Sequence, residues 1–220
     1  MTEKHVRIRR GNKEDALRVR NELVGIAMDI FKSQGIEGVS MRAVAAKAGM
    51  SPMSPYRYFA NRQALLKYLW FQSIHDLKEY LHESITEIQS ARKRHRVLIR
   101  AFINYWIEHP ERFWLAYEAQ GDRGALSPFS IPESHTDSYQ AALKLLRTTA
   151  VEVAHEIGVS DKEAILASDL CMVMMQGYLN AYLVNTRYPW VDKQKLKEIF
   201  IEQTALSVER FLIEADQASG

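Results

Sequence analysis

Apolar residues in this chain recur at three- and four-residue intervals, and no stretch shows the alternation of a strand ladder. That period suits amphipathic helices, so the expected fold class is all-α. Leu23, Ala27, Ile30 and Phe31 form one such face on a helix predicted over 15–34, which Gly35 stops. Ser40 is a good N-cap; behind it Met41, Val44, Ala45 and Ala48 line one side of a second helix that Gly49 ends. Asn61 stands before a much longer helix whose apolar members are Leu65, Leu66, Leu69, Trp70, Leu77 and Leu81. Further helices are predicted over 97–109, 111–120, 134–157, 161–186 and 192–215, with the clearest loop at "GDRGALSPFSIPE".

Between the second helix and Asn61 lies "SPMSPYRYF", in which two prolines interrupt an otherwise helical context. Ser51 can cap a short helix there, with Pro52 at the first helical position, where a missing N–H costs nothing. Pro55 sits near the edge of that tolerant first turn and removes at most the first backbone bond. The expected element is thus a short helix. Joined to its predecessor by a tight turn containing Gly49, it makes a helix-turn-helix. Ala45 and Ala48 are small enough for the short helix to cross close to its predecessor, and Val44 and Phe59 can anchor it on the first helix of the chain. Pro52, Met53, Ser54, Arg57 and the hydroxyls of Tyr56 and Tyr58 are then left for a major groove. Tyr56 and Phe59 also read as core aromatics, and for Phe59 that is the preferred reading.

Charge is distributed to match. Residues 1–64 carry 12 Lys+Arg against 6 Asp+Glu, a net +6, whereas the remainder carries 17 against 21, a net −4. Such asymmetry points the first part toward a polyanion. Arg7, Arg9, Arg10 and Lys13 form a basic arm that either reaches into a minor groove or is a solvated tail. The 220 residues suffice for a small domain and a larger one, assigned to 1–62 and 63–220. One cysteine, Cys171, excludes an intrachain disulfide framework. No apolar run is long enough for a membrane span, and "MTEKHVRIRR" lacks the apolar core of a signal peptide, so a cytoplasmic protein without membrane partners is expected.

The stretch "IFKSQGIEGVSMRAVAAKAGMSPMSPYRYFANRQALL" resembles the N-terminal signature of tetracycline-repressor-like (TetR family) transcriptional regulators. The match runs from Ala27 to Leu66: a helix with A-x-x-x-F and a following glycine, then S-x-R-x-V-A-x-x-A-G-x-S, then Y-R-Y-F, then N-R-x-x-L. The resemblance implies a homodimer on a palindromic operator in double-stranded DNA. It places Ser40, Arg42, Ser51 and Arg62 at phosphate contacts, Met53 and Ser54 at base-facing positions, and Tyr56 and Tyr58 at aromatic contacts to phosphate or thymine. Pro52, Met53 and Pro55 depart from the polar or small residues usual there. Apart from Arg42 and Arg57, little in the segment can bond guanine in bidentate fashion. Weak hydrogen-bond readout, supplemented by methyl contacts and DNA shape, is therefore expected.

The last two long helices are apolar on more than one side. Ala164, Ala167, Cys171, Met175, Tyr178 and Tyr182 form a stripe on the first, widened by Ile165, Met172, Leu179 and Leu183. Leu196, Ile199, Phe200, Leu206, Phe211 and Leu212 spread over the second. Two apolar sides call for two partners, either within the monomer or one of them in a second copy. The resemblance favours the second copy, because the family dimerises through this pair. It also implies an inducer pocket near Tyr105, Trp106, Phe113, Trp114, Tyr117, Met175 and Tyr178, for a small apolar or aromatic effector; taken singly, each of these residues reads more readily as ordinary core. His75, Glu79 and His82 share a helix face at metal-ligand spacing but read more simply as an exposed polar face, so no metal and no cofactor is assigned. No nucleophile–base pair or glycine-rich phosphate loop points to catalysis. A helical enzyme, a ligand-binding protein without a DNA role, and a regulator answering to a protein remain the competing readings.

Overall fold

The computed structural model describes the backbone of residues 11–117, 133–185 and 187–219. Among these residues there are eight α-helices, one short 3-10 turn and no strand, as the periodicity requires. The basic arm at Arg7, Arg9 and Arg10, the side chain of Lys13 and the loop after Tyr117 lie outside the described residues.

Helix α1 (Gly11–Gly38) breaks at Gly35, whose φ of 68° and ψ of −172° are non-helical. A positive φ of this kind is strained for any residue with a Cβ, which is why the stop falls on a glycine. Helix α2 (Met41–Lys47) begins where Ser40 Oγ accepts from the Ala43 N–H at 3.1 Å. The 3-10 turn covers Ser54–Arg57. Helix α3 (Arg62–Ile85) starts with the Ala64 N–H donating to Asn61 Oδ1 at 2.8 Å. Next come α4 (Ala91–Glu108), α5 (Pro110–Tyr117), α6 (Glu133–Ile157), α7 (Asp161–Leu183) and α8 (Lys193–Ser219).

Helix α4 begins six residues before the predicted 97. The run "ARKRHR" has no apolar period of its own, but Ser90 Oγ caps it by accepting from the Lys93 N–H at 3.3 Å. Its cations meet carboxylates of neighbouring helices: Arg94 donates to Glu152 at 2.7 Å, Arg96 lies 3.4 Å from Glu202, and Arg100 pairs with Glu198. Tertiary charge pairing supplies what local periodicity lacks.

Backbone contacts divide the chain into two compact units, residues 1–72 with 114–130 and residues 73–113 with 131–220. In the first, Leu23, Ala27, Ile30 and Phe31 of α1 join Val39, Met41, Val44, Ala45, Phe59, Leu65 and Leu69 in a buried core. In the second, α4, α6, α7 and α8 pack on one another. Their buried faces include Leu98, Ile99 and Ile103; Ala150 and Val153; Ala167, Cys171 and Met175; and Ile201, Ala205 and Val208.

The predicted stripe on α7 is largely the buried one, with Ala164, Ala167, Cys171, Met175, Tyr178 and Leu179 facing inward. Opposite them α7 exposes Leu166, Leu170, Val173 and Val184, at steps of four, three and eleven. Helix α8 likewise exposes Ile199, Leu206 and Ile213 at steps of seven while Ile201, Val208 and Leu212 are buried. Of the exposed apolar residues on these two helices, Ile165, Ile199 and Leu206 figured in the sequence reading.

Candidate nucleic-acid interface

The interface begins with how α2 ends. Gly49 takes φ 66°, the Gly49 N–H donates to Ala46 O at 3.2 Å, and the Met50 N–H donates to Ala45 O at 2.9 Å. The last carbonyls of α2 are thereby satisfied and the chain is turned. The next segment differs from the expectation. Ser51 does not cap a helix and Pro52 does not open one; both lie in a turn before Ser54.

The reason is Pro55. An α-helix capped at residue 51 needs its first backbone bond from the N–H of residue 55, and proline has none. Instead the Ser54 N–H donates to Ser51 O at 2.9 Å, a three-residue step that tightens the segment into 3-10 geometry. The Ser51 and Ser54 hydroxyls bond each other at 2.9 Å. Pro55 is buried, so the residue that forbids the α-helix also anchors the turn.

Phe59 is 2% exposed and makes an edge contact with Tyr68, ring centroids 5.9 Å apart. Core is therefore its role. The Arg20 guanidinium of α1 lies over both rings, 4.1 Å from the Tyr68 centroid and 5.3 Å from that of Phe59. Sequence inspection missed Arg20, because nothing in its local pattern separates it from a solvated α1 cation.

Around this anchored turn the remaining assigned residues point outward. Arg42, Ser51, Pro52, Met53, Tyr56 and Arg57 are exposed, and Ser40, Ser54 and Tyr58 are half-buried. Met53, 70% exposed, is an apolar tip on an otherwise polar rim. Arg62 differs from the others. Its Nε donates to Val39 O at 2.5 Å and its Nη2 to Ile36 O at 2.5 Å, so the guanidinium ties the start of α3 to the link between α1 and α2.

The residues assigned to an effector pocket are mostly packed. Tyr105, Trp106 and Phe113 come together, with Trp106 making edge contacts to Tyr105 at 5.1 Å and to Phe113 at 5.8 Å, and all three are buried. Tyr178 instead stacks on Phe200 at 4.2 Å, Met175 is buried and Trp114 is half-buried. The side chain of Tyr117 lies outside the described residues. Burial pushes the Tyr105 hydroxyl up to about 12, so it stays protonated, donating to Ser73 O at 2.9 Å while accepting from Arg112 Nη1 at 2.8 Å. Arg112 also donates to Asp76 at 2.5 Å, joining α5 and α4 to α3. An open cleft of about 540 Å³ lies elsewhere, lined by Arg92, Lys93, Arg96, Arg100 and Glu209 among others. Glu79, of the metal-like triplet, bonds Lys78 at 2.8 Å, which holds its carboxyl below the usual range.

Residues 24–69 match the family model described as bacterial regulatory proteins, tetR family. The chain is similar in fold to a protein of unknown function from Rhodococcus sp. RHA1, at 21% identity and a TM-score of 0.69 over 89% of this chain and 94% of that one. It is likewise similar to the TetR family transcriptional regulator PfmR from Thermus thermophilus, at 16% identity and a TM-score of 0.61 over 86% and 97%. A third similar structure is the fatty acid degradation regulator FadR from Bacillus halodurans, at 12% identity and a TM-score of 0.63 over 84% and 94%. Among the described residues no helix is long and apolar enough to cross a membrane. Residues 24–69 thus carry the reading head described by the tetR-family model, and the helical fold around it is similar to that of TetR family transcriptional regulators.

Proposed function

We propose that the protein is a cytoplasmic homodimeric repressor that binds a palindromic operator and is released by a small apolar or aromatic effector. The observation that carries the reading is the anchored 3-10 turn. Pro55 and Phe59 are buried beneath it, while Arg42, Ser51, Met53, Tyr56 and Arg57 remain exposed around it. The α2 N-terminus at Ser40 adds N–H groups and a positive dipole end for a phosphate. With no carboxamide in the turn, its bidentate donor is Arg57, joined by Arg42 of α2, and Met53 with Pro52 suits a thymine methyl. Function on this reading divides at residue 62: DNA contact before it, dimerisation and effector response after it.

Dimerisation is supported by the outward stripes of α7 and α8, which the described residues of the same chain leave uncovered. The effector reading is supported by the aromatic group at Tyr105, Trp106 and Phe113, with Trp114, Tyr117, Met175 and Tyr178 as its assigned neighbours. Arg112 links that group to Asp76 on α3, the helix that starts five residues after the end of the reading turn.

The test is fluorescence anisotropy with an operator selected from random duplexes, repeated over a range of salt concentrations. The expected outcome is saturable binding that weakens steeply with salt. Affinity that is independent of both sequence and salt would overturn the assignment.

A further inference from the structure

Gly177 occupies the middle of the outward face of α7, where the sequence gives no reason for a glycine. Its φ is not in the left-handed region, and a Cβ built on it meets nothing within 4 Å. Within the protomer, alanine would fit and would stabilise the helix, since glycine in a helix interior costs backbone entropy. Neither backbone geometry nor intrachain packing accounts for it.

Its position does. Leu166, Leu170, Val173, Gly177, Asn180 and Val184 succeed one another at steps of four, three, four, three and four, and all are exposed. Those steps average 3.6 residues per turn, the helix's own period, so the set lies along one face of α7 where a second helix can pack. Helix α8 adds Ile199, Leu206 and Ile213 at steps of seven on its own outer face. Val173, one turn before Gly177, is 69% exposed, which is costly for a β-branched apolar side chain left in water. Gly25 on α1 provides a contrast. It too has open space around its missing Cβ, but its helix-face neighbours Asn21, Glu22 and Asp29 are polar and exposed, so nothing there forms an apolar seam.

We infer that a helix from a second copy of this chain crosses α7 over Gly177, where the missing side chain sets the closest approach of the two backbones. Interaxial distance at a helix crossing is fixed by the side chains at the contact point, and a glycine there permits the shortest one. Val173 and Asn180, one turn to either side, then flank the crossing, and Leu166, Leu170 and Val184 continue the seam. This rests on the homodimer proposed above and goes further by fixing where the subunits cross.

Sedimentation equilibrium on the full chain tests it with Gly177→Ala, Gly177→Leu, Leu170→Asp and Gly25→Ala. The expected result is a dimer dissociation constant raised about tenfold by Gly177→Ala and a hundredfold or more by Gly177→Leu. Helical circular dichroism stays unchanged, and Gly25→Ala has no effect on assembly. A wild-type constant for both Gly177 variants, with Leu170→Asp monomeric, overturns the crossing point and leaves the dimer face standing. If Leu170→Asp also assembles normally, the dimer face itself is wrong and the crossing falls with it. Should Gly177→Leu lose helical content, Gly177→Ala alone decides.

Discussion

Arg62 illustrates how a residue's surroundings decide its work. Its guanidinium bonds the carbonyls of Val39 and Ile36, so removing it leaves two acceptors at the link between α1 and α2 without their charged donor. Arg62→Ala should destabilise the DNA-reading unit by about 2 kcal/mol, and Arg62→Lys should recover little, because an ammonium cannot span both carbonyls as the fork does. Thermal melts read this directly. Arg57 is the contrasting case: exposed, it should leave the melt unchanged when replaced by alanine. The logarithmic salt dependence of operator binding should then fall by about 0.9 for each phosphate that Arg57 no longer neutralises, and by twice that in a symmetric dimer. His95 raises a separate question of pH. It is 1% exposed, and its Nδ1 lies 2.9 Å from Thr149 Oγ1, which itself donates to Leu146 O at 3.1 Å. The threonine proton is therefore committed, and the imidazole is the Nδ1–H tautomer. Burial holds its pKa down at about 4 against an ordinary 6.5, so the unfolded chain takes up the proton first. Stability from this group is complete above pH 6.5 and is lost as pH falls toward 4, by on the order of 3 kcal/mol in all. Denaturant titrations at pH 7 and pH 4.5 should show a smaller difference for His95→Leu than for the parent protein.

At the scale of elements, helices were legible wherever an apolar period coincided with a cap. Ser40, Asn61 and Gly35 mark boundaries that the structure confirms, because caps and positive-φ stops are local chemistry. Ser40→Ala should accordingly cost about 1 kcal/mol in the melt of the DNA-reading unit, with the loss confined to the start of α2 in amide exchange. Two boundaries were not legible. The start of α4 at Ala91 depends on glutamates more than 50 residues away, and no window on the sequence contains them. The 3-10 turn was legible in kind but not in form. Pro52 and Pro55 each fit an early helical position when taken alone; only tracing which N–H must serve the Ser51 carbonyl shows that the α-helix cannot begin. The reading surface is consequently shorter than the predicted helix, and its most exposed large apolar side chain is Met53. Replacing thymines of the selected operator with deoxyuracil removes their methyl groups. It should weaken binding at the contacted position by roughly threefold, the worth of one buried methyl-sized group. Met53→Ala should be insensitive to the same replacement.

At the scale of the molecule, binding strength depends on how many heads engage one duplex. Joining two reading units turns the second contact into an intramolecular event, with an effective concentration near millimolar and a gain of roughly 10²–10⁴ over a single head. The stripes proposed for this pairing were only partly legible in the sequence because α7 is apolar almost all round. Periodicity marks such a helix as buried without saying which side faces its own chain. Only the placement of Ala164, Ala167, Cys171 and Met175 against the core leaves Leu166, Leu170 and Val173 as the outward set. The gain also carries a geometric condition. Half-sites must lie on one face of the duplex, about 34 Å or one helical turn apart or a multiple of it. Inserting about 5 bp between the half-sites turns one head away by half a turn and should reduce the affinity of the dimer by about two orders of magnitude or more. A monomeric Leu170→Asp variant should bind the parent and the lengthened operator equally, at the weaker level of one head. Anisotropy titrations of both proteins on both duplexes measure the effect. Equal loss for the two proteins would mean that the insertion damages a half-site, whereas a loss restricted to the dimer isolates the coupling between heads.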